Sequence, residues 1–192
     1  MKKFLASALM LLAASTTTFA QNAVGSFSLQ PKAGISIADM TDIQGTTSRI
    51  GFVGGLEGEY QASDIFSLSL GVNYSQEGFK MKNSDNKIKL DYINVPILAN
   101  VYLTKGLAVK VGVQPGFNVG NSVTVDGNTT SSSKKDYDGI KSVALYIPVG
   151  LSYEISNVVL DARYNWGVTK AFDGLDSKNS VFQVTIGYKF QL

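Results

Sequence analysis

Neither histidine nor cysteine occurs in the 192 residues. The first absence removes the imidazole on which most general acid–base and Ser-His chemistry leans. The second removes thiolate nucleophiles and disulfides and, with histidine also missing, the ordinary zinc sites. Charge is scarce as well: Asp, Glu, Lys and Arg make up 17% of the chain, against about 25% in an average soluble domain. The charges nearly cancel, with 17 Lys+Arg against 15 Asp+Glu, and Lys2 and Lys3 lie in a segment that reads as an export signal. A nucleic-acid partner is disfavoured, because a phosphate backbone demands a clear excess of positive charge on one face. Long apolar runs are missing too. Phe4 to Ala14 spans eleven residues, short of the roughly 18 that a membrane helix needs.

That run sits between the basic pair Lys2-Lys3 and a small-residue stretch ending at Thr18 and Ala20, the three-part pattern of a secretory signal cleaved before Gln21. Without a cysteine after the cleavage point, a lipid anchor is excluded. Residues 21–192 then form one domain. It is either soluble outside the cytoplasm or crosses a membrane as strands.

What is present in abundance is period-two alternation. Eight segments each set an apolar face against one of small and polar residues. In the first, Phe27, Leu29, Pro31, Ala33, Ile35 and Ile37 alternate with Ser28, Gln30, Lys32, Gly34 and Ser36. The third sets Phe66, Leu68, Leu70, Val72 and Tyr74 against Ser67, Ser69, Gly71, Asn73 and Ser75. In the fourth, Ile88, Leu90 and Tyr92 occupy even positions before Ile93, Val95, Ile97, Ala99, Val101 and Leu103 take odd ones, which predicts a β-bulge near Tyr92 and Ile93. Tight turns at Ala62-Ser63-Asp64, Thr104-Lys105-Gly106 and Ser156-Asn157 alternate with long polar loops at Ala38 to Ser48, Gly78 to Asn86, Gly120 to Lys141 and Thr169 to Asn179. An even strand count with this asymmetry predicts an all-β fold, an eight-stranded antiparallel up-and-down transmembrane barrel.

A soluble carrier would turn the apolar face inward and a membrane barrel outward; the aromatic residues choose between them. Phe27, Tyr60, Phe66, Tyr153, Tyr188 and Phe190 fall on the apolar faces next to the short turns or the termini. Phe52, Tyr74, Phe117, Tyr164, Trp166 and Phe182 fall at the other ends, with Leu, Val, Ile, Ala and Gly between. Two girdles around an aliphatic band suit rings that settle at lipid headgroups. Phe52 to Tyr60, Phe66 to Tyr74 and Phe182 to Phe190 each enclose nine residues, close to the roughly 9 to 11 of a tilted spanning strand.

On the opposite faces lie Lys32, Lys110, Arg163 and Lys189 together with Glu57, Glu59, Glu154 and Asp161. Enclosed in one lumen, charges of both signs can pair. Eight strands leave an interior only wide enough for side chains, so a plugged barrel is expected rather than a diffusion channel.

The last eight residues resemble the C-terminal assembly signal of outer-membrane barrels, with polar Thr185, Gly187 two later, then Phe190 and Leu192. Leu90-Asp91-Tyr92-Ile93-Asn94-Val95-Pro96-Ile97-Leu98 followed by Val111-Gly112-Val113-Gln114-Pro115-Gly116 resembles the outer-membrane barrel domain of the PorT-like family. That family carries a "YL-x-I-P-L-L" strand and then a "G-x-x-x-G" strand. The resemblance implies an integral outer-membrane barrel, and the founding member is linked to protein secretion; Phe190 and Leu192 are expected to serve insertion by the barrel-assembly machinery, and both termini are expected to be periplasmic. Small adhesion and defence barrels of the OmpX and OmpA type share the architecture.

Three functions compete on these residues: surface display, lipid-modifying catalysis and a diffusion channel, the last disfavoured by strand number. A surface-display protein would use its four long loops, above all the hairpin-like run Val123 to Asn128, on an unknown surface or secretion partner. Lys80, Lys82, Lys87, Lys89, Lys134, Lys135, Lys141, Lys170 and Lys178 gather at the loop end, where outer-membrane lipid and lipopolysaccharide phosphates would meet them. A lipid-modifying enzyme has no histidine base to use, and the loop carboxylates Asp126, Asp136, Asp138, Asp173 and Asp176 match no calcium-loop spacing. No cofactor and no metal site is expected, and the barrel is expected to be a monomer. If Phe190 serves insertion and no ligand, Phe190→Ala should lower the folded membrane fraction severalfold while Lys178→Ala leaves it unchanged, read from heat-modifiable gel migration of isolated envelopes.

Overall fold

The computed structural model describes residues 23–41, 45–82, 86–125, 128–132, 141–171 and 177–192. The export signal expected over residues 1–20 lies outside them. Three long strands come first: β1 (Phe27–Met40), β2 (Thr46–Ser63) and β3 (Phe66–Met81). β4 (Lys87–Asn94) and β5 (Ile97–Thr104) are halves of one wall strand, and β6 (Leu107–Val125) pairs with both. β7 (Asn128–Ser132), β8 (Val143–Ile155), β9 (Val158–Lys170), β10 (Lys178–Tyr188) and β11 (Phe190–Gln191) complete the chain, the last two being halves of a second interrupted strand.

Consecutive wall strands pair antiparallel, and β1 pairs β2 on one side and β10 on the other, from Lys32 opposite Gly187 to Met40 opposite Asn179. The wall therefore closes as eight strands, and closure leaves no free edge within it. β7 is an outgrowth that folds back on the far end of β6. This is the eight-stranded antiparallel barrel that the alternation predicts.

The pleat sorts the side chains. On β3, Ser67, Ser69, Asn73 and Ser75 are buried in the interior, whereas Leu68, Leu70 and Val72 stand exposed on the outer wall. The ladders run further than the alternation does: β3 continues to Met81 and β6 to Val125, into stretches read from sequence as loops. Beyond the aliphatic band the outer face no longer has to be apolar, so the pattern fades while the backbone pairing persists.

The fourth segment corrects a prediction. Leu90, Tyr92, Asn94, Leu98 and Asn100 are all buried inside the barrel, so the parity of this strand never switches. The extra residue lies on the neighbour, where Asp91 faces Gly120 and Tyr92 faces Asn118, leaving Val119 as the bulge in β6. The strand parts at Val95–Pro96, and the gap is closed by Gly71 N–H donating to Pro96 O and Val95 N–H donating to Pro115 O, both 2.9 Å. Periodicity reports parity, not side: apolar Leu90 and Tyr92 read alike whether they meet an outer apolar phase or an internal cluster.

Two inward glycines are set by close approach. A Cβ on Gly112 would stand 2.0 Å from Ile97 O across the ladder. On Gly116 it would stand 2.4 Å from Asn94 Oδ1 and 3.0 Å from the Tyr146 ring. Backbone cannot yield as a side-chain tip can, so Gly112→Ala should destabilise the barrel by about 1–3 kcal/mol. A urea titration of the refolded protein in micelles, followed by heat-modifiable migration, measures this against outward Val113→Ala as control.

Candidate functional site

The lumen is built in layers. At mid-height Glu57 of β2, only 1% exposed, accepts hydrogen bonds from Lys32 of β1, from Lys110 of β6 at 2.9 Å and from Arg163 of β9 at 3.2 Å. Asp161 takes Arg163 at 3.0 Å and Lys110 at 3.2 Å. Two carboxylates and three cations thus tie together walls that are far apart in sequence and face one another across the bore. Towards the short turns, Lys189 bridges Glu154 at 2.7 Å and Glu59 at 3.2 Å. Glu59 also accepts from Ser67 at 2.6 Å and from the Tyr102 hydroxyl. The eight interior charges named from sequence therefore all face the lumen, and all of them are paired there.

A third layer was missed by the sequence reading. Glu77, at the loop end of β3, accepts from Tyr146 at 2.9 Å, Asn94 at 3.2 Å and Asn179 at 3.4 Å, with no cation among its side-chain partners in the described residues. Its parity matches that of Ser67 to Ser75, and carrying that count two residues further reveals it. Above it, Met40, Phe79, Leu90, Tyr92, Tyr146 and Val181 form a buried apolar cluster that caps this end of the bore. Arg49 donates to the backbone carbonyl of Glu77, and Ser36 Oγ donates to that of Gln76 at 2.6 Å, where the β2–β3 ladder breaks between Ser48 and Val53.

The outer wall is the reverse. Leu56, Leu70, Val72, Val111, Val149, Leu151 and Ile186 are all exposed there. The twelve rings point outward at two levels. Phe27 lies against Tyr60 with centroids 4.7 Å apart, and Tyr188 against Phe190 at 4.8 Å, at the short-turn end. Phe66 starts β3 and Tyr153 lies two residues before the end of β8, at that same end. At the other level Phe52 faces Ile35, Tyr74 and Phe117 flank Ile93, Tyr164 faces Phe182 and Trp166 faces Ile147.

Of the C-terminal residues, Thr185 is buried, Gly187 packs against Gln30, and Phe190 and Leu192 face outward. Leu192 N–H donates to Phe27 O at 2.9 Å, fastening the end of the chain to its first strand. Of the loop lysines, Lys80 and Lys82 are exposed, while Lys134 and Lys135 lie outside the described residues, as do Asp126, Asp136, Asp138, Asp173 and Asp176.

A continuous apolar wall around a bore filled by its own ion pairs and capped by its own apolar side chains defines a closed β-barrel of the outer-membrane class. The chain belongs to the outer membrane protein beta-barrel domain family, whose model matches residues 19–173. Among solved structures it is similar to Ail, the attachment invasion locus protein of Yersinia pestis, in complex with the heparin analogue sucrose octasulfate. That match has 18% identity and a TM-score of 0.55, over 87% of this chain and 99% of that one. It is also similar to Neisserial surface protein A, with 20% identity and a TM-score of 0.57, over 85% of this chain and 97% of that one. At such identities the likeness is one of fold. No curated protein matches the chain.

Removing one partner from a buried ion cluster leaves uncompensated charge and costs about 3–5 kcal/mol. Glu57→Gln, which leaves three cations with Asp161 alone, should lose that much in urea unfolding of the micelle-bound barrel. Glu77→Gln should shift the same curve by less than about 1 kcal/mol, since it breaks no ion pair and an amide keeps neutral hydrogen bonds. Asn94 Oδ1 has no partner, so turning the Asn94 amide lets it accept from the new Nε2.

Proposed function

We propose that this protein is a non-enzymatic, monomeric surface barrel, with its long loops outside the cell and both termini in the periplasm. Its role is then binding or envelope structure at the cell surface. The observation that carries this reading is the cross-bore cluster of Glu57, Asp161, Lys32, Lys110 and Arg163. Among the described residues the lumen is crossed by salt bridges and capped by Met40, Phe79 and Leu90, and in this reading function moves to the loops and the outer wall. Of the interior carboxylates, Glu57, Glu59, Glu154 and Asp161 are tied up as ion-pair partners and Glu77 is held by neutral donors, and no histidine exists to act beside them. Outer-membrane lipid surrounds the barrel in this reading, and the C-terminal strand with Thr185, Gly187, Phe190 and Leu192 serves the assembly machinery.

The PorT-like resemblance supports an alternative, an accessory part in secretion. The residues that carry it are occupied in barrel packing: Leu90 and Tyr92 in the cap, Gly112 and Gly116 at close approaches. That leaves secretion without a residue of its own, and surface binding is the stronger reading.

Three measurements test it. The purified protein in planar bilayers should pass no steady ion current, and sustained unitary openings would remove the plugged-barrel reading. On intact cells, protease should cut within residues 126–140 while sparing the Ser63–Phe66 turn; the opposite pattern would invert the orientation. Deleting residues 126–135 should abolish surface binding without reducing the folded fraction, if that loop is the recognition element.

A further inference from the structure

The ladder of β3, β4 and β6 continues past the upper rings and places lysines on its outer, sideways-facing surface. Phe79 and Ile88 face each other across β3 and β4 and turn into the internal cap. The residues on either side therefore face outward, and these are Lys80, Lys87 and Lys89. Lys80 stands directly opposite Lys87, with Thr47 opposite Lys80 on the other flank. Directly opposed antiparallel residues have Cα atoms roughly 4.5–5.5 Å apart, and like charges there are destabilising. No carboxylate pairs with any of the three among the described residues. The acidic residue on the same face, Asp91, lies beside Arg49 and Tyr74.

Height identifies what such a surface would meet. Lys80 follows Tyr74 by six residues and Lys89 precedes Ile93 by four. At about 3.3 Å per residue and a tilt near 40°, these lie on the order of 10–15 Å above the ring level. Lysine stems reach several ångströms back along apolar wall while keeping the ammonium in water. The ammonium groups thus reach the headgroup layer from the barrel's flank, not from its loop tips.

We infer that Lys80, Lys87 and Lys89 form a phosphate-binding site for an anionic glycolipid of the outer leaflet, with Thr47 beside its sugar. This rests on the surface-barrel orientation proposed above. The opposed lysines are then a local cost to the bare fold that the lipid phosphate offsets, since each contributes a point charge and three donors. A soluble polyanion would have no reason to select residues on the lipid-facing flank.

The test compares the wild-type barrel, refolded in a zwitterionic or non-ionic detergent, with Lys80→Ser/Lys87→Ser/Lys89→Ser and with Lys105→Ser at the short-turn end. Each is titrated with bisphosphorylated lipid A, with the same lipid stripped of phosphate, with inorganic pyrophosphate and with a heparin oligosaccharide, reading the temperature of the heat-modifiable transition. Wild type and the Lys105 variant should be stabilised by bisphosphorylated lipid A alone. The triple variant should bind it on the order of a hundredfold more weakly, about fivefold per lysine near a charged lipid surface. Without lipid the triple variant should unfold at or above the wild-type temperature, a reversal that simple loss of folding cannot produce. Equal stabilisation of the triple variant, or of wild type by the dephosphorylated lipid, overturns the site. A matching effect of pyrophosphate or heparin overturns the glycolipid as its occupant. Because the barrel is read in detergent, failure here leaves the orientation to the protease experiment, and inverted orientation leaves the binding result standing.

Discussion

Glu57 is where the structure is most constrained. A closed barrel whose outer wall is aliphatic has to place its polar residues inside, and eight strands leave a bore too narrow for bulk water to solvate them. A carboxylate in that setting is tolerable only with its charge matched and its lone pairs filled. Glu57 meets both conditions through three cations drawn from β1, β6 and β9. The same contacts cross the bore, so the group that most needs compensation also fixes opposite walls relative to each other. Among the described residues, Lys110 and Arg163 also pair with Asp161, so the five charges form one network. Register errors would strand a charge in every strand that supplies one, which makes the cluster a device for specificity as well as stability.

The remaining interior follows from what that cluster leaves over. Below it, Lys189 bridges Glu59 and Glu154, with Tyr102, Asn100 and Ser67 completing hydrogen bonds. Above it, the lone carboxylate Glu77 is held by neutral donors from Tyr146, Asn94 and Asn179, roofed by Met40, Phe79, Leu90 and Val181. Small residues make these layers possible. Where wall backbones approach closely, as at Gly112 and Gly116, a methyl group would meet a carbonyl or the Asn94 amide.

Most of this architecture was legible in the sequence because lipid-facing and lumen-facing positions alternate with a fixed period. Phe66 to Tyr74 shows both the parity and the span; the interior charges from Lys32 to Lys189 follow from parity alone. Partner choice was not legible, since Glu57 and Arg163 lie 106 positions apart and no local pattern links them. The cap was misread for a different reason. Leu90 and Tyr92 are apolar residues on an inward face, and alternation cannot tell an internal apolar cluster from an outer apolar phase. Glu77 was overlooked because the alternating pattern on β3 fades at Tyr74 while the strand runs on to Met81.

That mismatch between pattern and ladder is informative in itself. Pairing that outlasts alternation marks the level at which the outer face stops being constrained to apolar residues. On β3 and β4 the change comes just past Tyr74 and Ile93, where Gln76 and Asp91 face each other and Lys80 faces Lys87. Inside, the same height is where polar Asn94 gives way to Tyr92, Leu90 and the cap. Along β4 the two faces therefore exchange character at one level: outside, Ile93 is followed by Asp91 and Lys89, as inside Asn94 is followed by Tyr92 and Leu90. A strand obeying that inversion needs no bulge of its own at the crossing, which is why β4 keeps its parity and the irregularity falls on β6 at Val119.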